Sequence, residues 1–317
     1  MGSLAPGGSL VTAATWFSTL RIRTLPAAAV PVIVGAAHVW HLAEQGVFAF
    51  QWLPIAAALL SALLIQVGTN LANDYYDHKK GADTPDRKGP RRASASGLLE
   101  PLAVRNAAYA AFAAAALFGA YLIWVAGWPV LAIGVAAMLS GLLYTAGPKP
   151  LGYLGLGDLF VFVFFGPVAV MGTVYVAAPD HFLADVGVWL PAFFLGLQVG
   201  ALATAILVVN NLRDRPTDQR TGKRTLAVRI GDRGTRIEYV ALVAFAFILC
   251  ALQVKMHPEW RLALPFLSLP LAVAPMRVVL QNHADRSALN AALGQTGLLL
   301  LAFGLLTAIG LAMPSQT

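Results

Sequence analysis

Long apolar stretches are the feature that most restricts the fold of this 317-residue chain. A helix that crosses the hydrocarbon core of a membrane needs roughly 20 apolar residues. Charged residues make up only 12% of the chain, against about 25% in a soluble protein, so lipid must solvate much of the surface. The sequence therefore predicts an all-α, multi-pass membrane protein with nine transmembrane helices. Their predicted bounds are 24–40, 52–72, 106–126, 128–145, 159–178, 188–209, 239–254, 262–280 and 288–313.

Basic residues predict how the chain lies in the membrane. Lys and Arg concentrate in the cytoplasmic loops of membrane proteins. With a cytoplasmic N-terminus, all but two of the 22 Lys and Arg residues, Lys255 and Arg261, fall on the cytoplasmic side. We therefore expect a protein of the bacterial plasma (inner) membrane with its C-terminus outside. The net charge of +7 is explained by these loops, and no nucleic-acid partner is predicted.

The domain organisation is simple. Residues 1–11 are rich in Gly, Ser and Pro and lack the basic start of a signal peptide. Residues 1–14 are therefore predicted to form a disordered N-terminal tail. Residues 15–317 are predicted to form a single transmembrane domain. The one cysteine, Cys250, excludes an internal disulfide framework.

Two predicted cytoplasmic connections are long, polar and rich in Asp, at about 73–102 and 210–236. In the first, Asp74 and Asp77 are three residues apart, which places them on one face at a helix end. In the second, Asp214 and Asp218 are four residues apart. Pro216 lies between them, so we expect the helix to end near Asp214 and a loop or turn to carry Asp218. Function is therefore expected at the cytoplasmic mouths of spans two and six.

Two pairs of carboxylates at one membrane face repel each other unless cations lie between them. Mg²⁺ prefers oxygen ligands and uses one or two carboxylates together with substrate phosphates. The pattern thus predicts a diphosphate bound through Mg²⁺, with neighbouring basic groups on the phosphate oxygens. The predicted catalytic metal ligands are Asp74, Asp77, Asp214 and Asp218, with Asp83 as a further candidate. The predicted substrate-binding residues are Asn70, Asn73, Arg91, Lys149, Asn210, Arg213 and Lys223, with Arg23 and Tyr144 discussed below. Neither an EF-hand nor a Walker A motif is matched.

These motifs resemble those of the UbiA superfamily of intramembrane aromatic prenyltransferases. That superfamily carries N-D-x-x-D after its second helix, here beginning at Asn73, and D-x-x-x-D after its sixth, here beginning at Asp214. Within it, the stretches 21–26, 70–97, 144–153 and 222–229 are similar to the 1,4-dihydroxy-2-naphthoate polyprenyltransferases of menaquinone synthesis (MenA type). One departure from the broader superfamily is Gly81, four residues after Asp77, which shifts the next aspartate to Asp83.

The resemblance implies transfer of a polyprenyl group from its diphosphate to 1,4-dihydroxy-2-naphthoate, with loss of CO₂ and diphosphate. It implies an apolar tunnel for the prenyl tail and Mg²⁺ at the diphosphate. In this interpretation Tyr144 is a candidate ring beside the allylic cation, and Arg23 is a candidate partner for the acceptor carboxylate. Packing and membrane anchoring are the alternative roles of these two residues.

Three alternatives are considered. An ion-coupled transporter would place its acids near the bilayer midplane, whereas here they lie at one face. A CDP-alcohol phosphotransferase would carry a D-G-x-x-A-R run, which is missing. A prenyltransferase of the same superfamily with another acceptor (4-hydroxybenzoate, homogentisate or haem) stays open.

Overall fold

A computed structural model describes residues 13–81, 89, 92–147, 150–281 and 285–314. As predicted, this part of the chain is all-α, with no β-strand among the described residues. Residues 1–12 of the predicted tail lie outside it, and the first helix begins at Ala13. The twelve α-helices are α1 (Ala13–Leu20), α2 (Leu25–Glu44), α3 (Trp52–Lys79), α4 (Pro101–Ala126), α5 (Trp128–Leu143), α6 (Gly157–Val163), α7 (Ala169–Ala177), α8 (Pro179–Ala184), α9 (Val186–Arg220), α10 (Leu226–Met256), α11 (Leu269–Leu280) and α12 (Leu289–Ala312). The shorter turns are the 3₁₀ segments Ile22–Thr24, Leu151–Leu154, Trp260–Ser268 and Arg286–Ala288 and the π-helix Phe164–Val168.

Eight helical segments in the described part of the chain are long and apolar enough to cross a membrane. They are Leu25–Glu44, Trp52–Lys79, Pro101–Ala126, Gly157–Ala177, Val186–Arg220, Leu226–Met256, Trp260–Leu280 and Arg286–Ala312. At the predicted fourth span the structure has the shorter apolar helix α5, of 16 residues. The eight segments establish an integral membrane protein by length and composition, and the count of nine spans stays a prediction.

Helix α9 corrects the prediction that the sixth span ends near Asp214. It continues through Pro216 to Arg220, so a helix and not a loop carries Asp218. A proline inside a helix has no N–H for the carbonyl four residues earlier. That carbonyl, of Leu212, accepts instead a 2.5 Å hydrogen bond from Nη1 of Arg286. The guanidinium thus replaces the lost backbone bond, and the helix keeps Asp214 and Asp218 one turn apart.

Helix α10 likewise differs from the short seventh span predicted at 239–254. It spans Leu226–Met256, with one non-helical residue, Gly231, at φ 76° and ψ 178°. A positive φ is readily adopted by glycine, so the chain can turn at Gly231 and still form helix on both sides. Most of the loop predicted at 210–236 is therefore helical, and only a short connection separates α9 from α10.

The long helix α9 forms the centre of the bundle. It packs against α2, α6, α7, α10 and α12, and most of its apolar stretch is buried inside the protein. Asp185 caps its start by accepting a 2.7 Å hydrogen bond from the Gly187 N–H. Helices α4 and α5 lie at the periphery, where Trp124 and Trp128 are largely exposed. Apolar residues on that outer surface agree with lipid as the surrounding solvent.

The contact between α9 and the π-helix depends on glycines. A Cβ placed on Gly196 would lie 2.6 Å from Cα of Pro167, and one on Gly166 would lie 2.6 Å from the Gly196 carbonyl oxygen. Both neighbours are backbone atoms, which cannot move aside as a flexible side chain can. The two backbones therefore approach closely only because these side chains are absent.

We expect Gly196→Ala to lower the melting temperature of the detergent-solubilised protein. Alanine favours a helix over glycine by about 1 kcal/mol, but overpacking against backbone costs typically 1–3 kcal/mol. The matched control is Gly294→Ala on α12, where a Cβ meets no described atom within 4 Å. An unchanged or raised melting temperature for Gly196→Ala would contradict this account of the packing.

Candidate active site

A single cavity of about 500 Å³ brings the two Asp motifs together. At one end its wall is polar, and the rest of the wall, formed by α2, α3, α4, α5, α6, α7 and α9, is mostly apolar. The predicted site residues that line the polar end are Asn70, Asn73, Asp77, Tyr144, Asn210, Asp214, Asp218 and Lys223. The apolar part extends to Ile123 and Val130, at the opposite ends of α4 and α5. The shape suits a ligand with one highly charged end and a long apolar tail.

Asp77 is the carboxylate that connects the two motifs. It is 2% exposed, and its Oδ2 accepts a 3.0 Å hydrogen bond from Nη2 of Arg92. Nζ of Lys223, from the connection after α9, lies 3.8 Å from the same oxygen. The other oxygen, Oδ1, is buried and has no hydrogen-bond partner in the described part of the chain. A buried carboxylate oxygen is rarely left unpaired, so this atom is a candidate ligand for a cation in the cavity.

Asp214 lines the same end of the cavity and is held by its neighbour Arg213. Nε of Arg213 donates a hydrogen bond to Oδ1 of Asp214, and Nη2 donates one to Oδ2, both at 2.7 Å. The same guanidinium donates to Oδ1 of Asn210 at 2.7 Å and to Oδ1 of Asn290 at 2.8 Å. Arg213 is 2% exposed. We predicted it as a substrate-binding residue, but in this structure its donors orient Asp214.

The carboxylate of Asp74 is bonded to the backbone of the segment that follows α3, and it does not line the cavity. Its oxygens accept hydrogen bonds from the backbone N–H groups of Ala93, at 3.1 Å, and Ser94, at 3.0 Å. These two residues follow Arg92, which lines the cavity and donates to Asp77. Asp74 therefore fastens the segment that carries Arg92 over the end of α3.

Two lysines approach one aromatic ring at the edge of the polar end. Nζ of Lys80 lies 5.1 Å from the centre of the Tyr153 ring, and Nζ of Lys223 lies 5.5 Å from it. Lys80 also donates to the carbonyl oxygens of Thr145, at 2.6 Å, and Gly147, at 2.9 Å. Burial lowers the pKa of Lys80; Asp77 opposes this shift and the Lys223 ammonium adds to it. Cation–π contact holds two like charges near the site.

The two asparagines of the first motif attach α3 to its neighbours. Nδ2 of Asn70 donates to the carbonyl oxygen of Leu20 at 3.1 Å and to Oγ1 of Thr24 at 3.0 Å. Oδ1 of Asn73 accepts a 2.8 Å hydrogen bond from Oγ1 of Thr145. These bonds position the segments before α2 and after α5 at the polar end.

Tyr144 follows α5 and lines the cavity beside the aspartates. Burial raises the pKa of its phenol, and the carboxylates of Asp158, Asp218 and Asp77 raise it further. The hydroxyl therefore stays protonated, and the ring stays neutral.

Several predicted residues fall outside what the structure describes. Asp83, Arg91 and Lys149 lie in the gaps between the described ranges, and the side chain of Arg23 is not described. The prediction missed Arg92 and Lys80 as site residues, although both lie within the stretch 70–97 that carries the family resemblance. Among the described residues there is no group of three or more His, Cys, Asp and Glu side chains that could hold a metal ion. A metal at this site would need further oxygen ligands from a substrate.

Comparison with known proteins identifies the family. Residues 28–294 match the UbiA prenyltransferase family. The chain belongs to the UbiA prenyltransferase family. It is 39% identical to the 1,4-dihydroxy-2-naphthoate octaprenyltransferase of Mycobacterium tuberculosis, over 94% of this chain and 97% of that protein. It is 37% identical to the Escherichia coli K12 protein of the same name, over 84% of this chain and 85% of that protein.

Solved structures of the UbiA family have the same fold. A UbiA homologue from Aeropyrum pernix K1 matches with a TM-score of 0.65 at 14% identity, over 87% of this chain and 96% of that one. A homologue from Archaeoglobus fulgidus, solved with DMAPP and Mg²⁺, matches with a TM-score of 0.54 at 17% identity, over 93% and 99%. At these identities the comparison supports the fold alone.

We expect Asp74→Ala to loosen the segment that follows Arg92. The substitution leaves two buried backbone N–H groups without their acceptor, which costs about 1–3 kcal/mol for each. Limited proteolysis in detergent should therefore cleave faster near residues 92–97, and the melting temperature should fall. The control is Asp180→Ala, an exposed acid on α8. Equal cleavage of both variants would contradict the role given to Asp74.

Proposed function

We propose that this UbiA-family protein transfers a polyprenyl group from polyprenyl diphosphate to 1,4-dihydroxy-2-naphthoate, releasing CO₂ and diphosphate and forming demethylmenaquinol. The observation that carries the proposal is the single cavity that joins both Asp motifs at one end of a long apolar wall. The acceptor is inferred from relatives named 1,4-dihydroxy-2-naphthoate octaprenyltransferase, which are 36–39% identical over most of this chain. These relatives also favour a role in menaquinone synthesis.

Mg²⁺ is the cofactor that the donor set fits. Asp77, Asp214 and Asp218 line the cavity. The strongest candidate ligand atom is Oδ1 of Asp77, which has no hydrogen-bond partner in the described part of the chain. The Archaeoglobus fulgidus homologue was solved with DMAPP and Mg²⁺. Asp74 does not line the cavity, and backbone N–H groups donate to both of its oxygens, so we propose a positioning role for Asp74 instead of the predicted role of ligand. When bound, Mg²⁺ supplies Lewis-acid neutralisation of the diphosphate.

The side chains at the polar end would bind and activate the prenyl donor. Lys223 and Arg92 are the described cations beside Asp77 and would contact the remaining phosphate oxygens. The allylic C–O bond then breaks, and the diphosphate leaves with its electron pair. The apolar wall excludes water from the allylic cation, and the neutral Tyr144 ring offers its π-face. No covalent bond to the protein is needed.

The acceptor then completes the reaction. Its ring carbon that bears the carboxylate forms the new C–C bond to the allylic carbon. Loss of CO₂ returns the electrons of the C–carboxylate bond to the ring and restores aromaticity. Arg23 and the basic residues Arg91 and Lys149 remain proposed substrate contacts, on the sequence alone.

The active site is proposed to face the cytoplasm of a bacterial cell, with the N-terminus inside and the C-terminus outside the inner membrane. The support is the excess of Lys and Arg in the connections on that side. Membrane lipid is then the environment from which the prenyl tail enters. The transporter alternative gains no support, since the family is one of prenyltransferases.

The proposed reaction is tested with purified protein in detergent, geranylgeranyl diphosphate, Mg²⁺ and 1,4-dihydroxy-2-naphthoate. We expect a prenylated, decarboxylated naphthoquinol by mass spectrometry. EDTA should abolish this product, because Mg²⁺ supplies the Lewis-acid neutralisation of the leaving diphosphate. Parallel reactions contain 4-hydroxybenzoate, homogentisate or haem. A product with one of these acceptors alone would refute the naphthoate assignment, and product formation in EDTA would refute the role of the metal.

Asp77→Ala and Asp214→Ala should each reduce turnover by about a hundredfold or more, since Lewis-acid stabilisation of the leaving group is worth several kcal/mol. Both variants should still insert into the membrane, which gel filtration of the solubilised protein checks. Asp180→Ala serves again as the control acid, away from the cavity. If either cavity variant kept wild-type turnover, its carboxylate would not be a metal ligand.

A further inference from the structure

Three glycines in the apolar part of the cavity leave space that no atom of the described residues fills. They are Gly119 on α4, Gly134 on α5 and Gly172 on α7, and all three line the cavity. A Cβ placed on any of them meets no described atom within 4 Å. Gly141, also on α5, is different, because its Cβ would lie 2.3 Å from Oγ1 of Thr69. Helix packing thus explains Gly141 but not the other three.

The absence of a packing partner needs another explanation. Glycine weakens a helix relative to alanine, and at these three positions alanine would fit without a clash. The missing side chains widen the cavity that Asp77 lines at its polar end. The Oδ1 atom of Asp77 is buried and has no hydrogen-bond partner among the described residues. Both observations point to the same occupant, with a charged head at Asp77 and a long apolar body beside the glycines.

The glycines lie at different distances from the charged end. Gly141 abuts Thr69, which lies two turns before Asp77 on α3. Gly134 precedes Gly141 by two more turns on α5 and so lies further from Asp77. With a rise of 1.5 Å per residue, Gly134 is about 22 Å from the level of Asp77. Ser61 on α3 donates to the carbonyl oxygen of Ala115 at 3.3 Å. This contact places Gly119, one turn beyond Ala115, about 30 Å from that level.

We propose that Gly134 and Gly119 determine how long a prenyl chain the protein accepts, with Gly134 passing the middle of the chain and Gly119 its far end. The inference rests on one part of the proposed function, the prenyl diphosphate as donor, because it takes that molecule as the occupant of the cavity; it does not depend on the acceptor. A bulky side chain at Gly134 would block the cavity early. The same side chain at Gly119 would shorten only its far end.

The test measures binding of geranyl and octaprenyl thiolodiphosphates, which do not react, to the detergent-purified protein with Mg²⁺. The measured quantity is the ratio of the two dissociation constants. In Gly134→Leu, octaprenyl binding should weaken relative to geranyl binding by about tenfold or more, the lower end of what one misfitting apolar group costs in a pocket. Gly119→Leu should shift this ratio less. The dissociation constant of a farnesyl analogue should be the same for Gly119→Leu as for the wild type.

Two controls separate blocking from general damage. Gly134→Ala adds only a Cβ at the same position and should change the ratio much less than Gly134→Leu. Gly294→Leu adds the same bulk on α12, outside the cavity wall, and should leave the ratio unchanged. A ratio unchanged in both cavity Leu variants would overturn the inference and would mean that the tail leaves the cavity before Gly134.

The binding measurement does not depend on the acceptor. If the naphthoate proved unreactive while Gly134→Leu still discriminated against the octaprenyl analogue, the proposed function would fail and the length inference would stand. If the naphthoate reacted and the ratio stayed constant, the reverse would hold. If neither analogue bound the wild type, both proposals would fall.

Discussion

The contact of Asp77 with Arg92 and Lys223 holds the candidate site together. Asp77 lies in the last turn of α3, Arg92 belongs to the segment after that helix, and Lys223 follows α9. These three side chains therefore join two regions far apart in the sequence. A carboxylate buried at the end of a membrane helix is costly unless cations compensate its charge. Here the compensation is shared between one close guanidinium and one more distant ammonium. The other carboxylate oxygen has no hydrogen-bond partner among the described residues, and it is the atom that we propose as a ligand for Mg²⁺.

A replacement hydrogen bond explains why α9 stays helical through Pro216. At Pro216 the helix loses a backbone donor, and Arg286 supplies a charged one to Leu212. Nη2 of Arg286 also donates to both oxygens of Asp232, at 2.8 and 2.7 Å. A single guanidinium therefore ties the start of α12 to α9 and α10. The aspartates of the second motif are fixed by helices on two sides.

Much of this arrangement could be predicted because it depends on local sequence. Apolar length predicts the spans, and the spacing of Asp74 with Asp77 and of Asp214 with Asp218 predicts two acidic helix ends. The two carboxylate pairs predicted one diphosphate bound through Mg²⁺, and the family resemblance implied that this diphosphate carries a prenyl group. The wrong prediction, that the helix ends near Asp214, concerned a feature that depends on a residue distant in the sequence. Nothing near Pro216 indicates that an arginine 70 residues later replaces its missing hydrogen bond.

The orientation of individual side chains also lay beyond the sequence. Asp74 and Asp77 share a helix face, yet Asp74 accepts two backbone N–H groups and Asp77 faces the cavity. The difference arises from the path of residues 92–94, which no local pattern specifies. In the same way, the adjacent Arg91 and Arg92 cannot be told apart until the segment is folded. Gly134 and Gly141 look alike in the sequence, and only the position of Thr69 distinguishes them.

Because α9 runs without interruption from its cap at Asp185 to Arg220, its length constrains how related sequences can diverge. Inserting or deleting one residue between Asp185 and Asp214 would rotate Asp214 and Asp218 by about 100° around the helix axis relative to Asp185. Neighbouring helices on several sides prevent α9 from absorbing that rotation. Insertions and deletions among homologues should therefore occur in connections such as 45–51, while the number of residues between Asp185 and Asp214 stays constant.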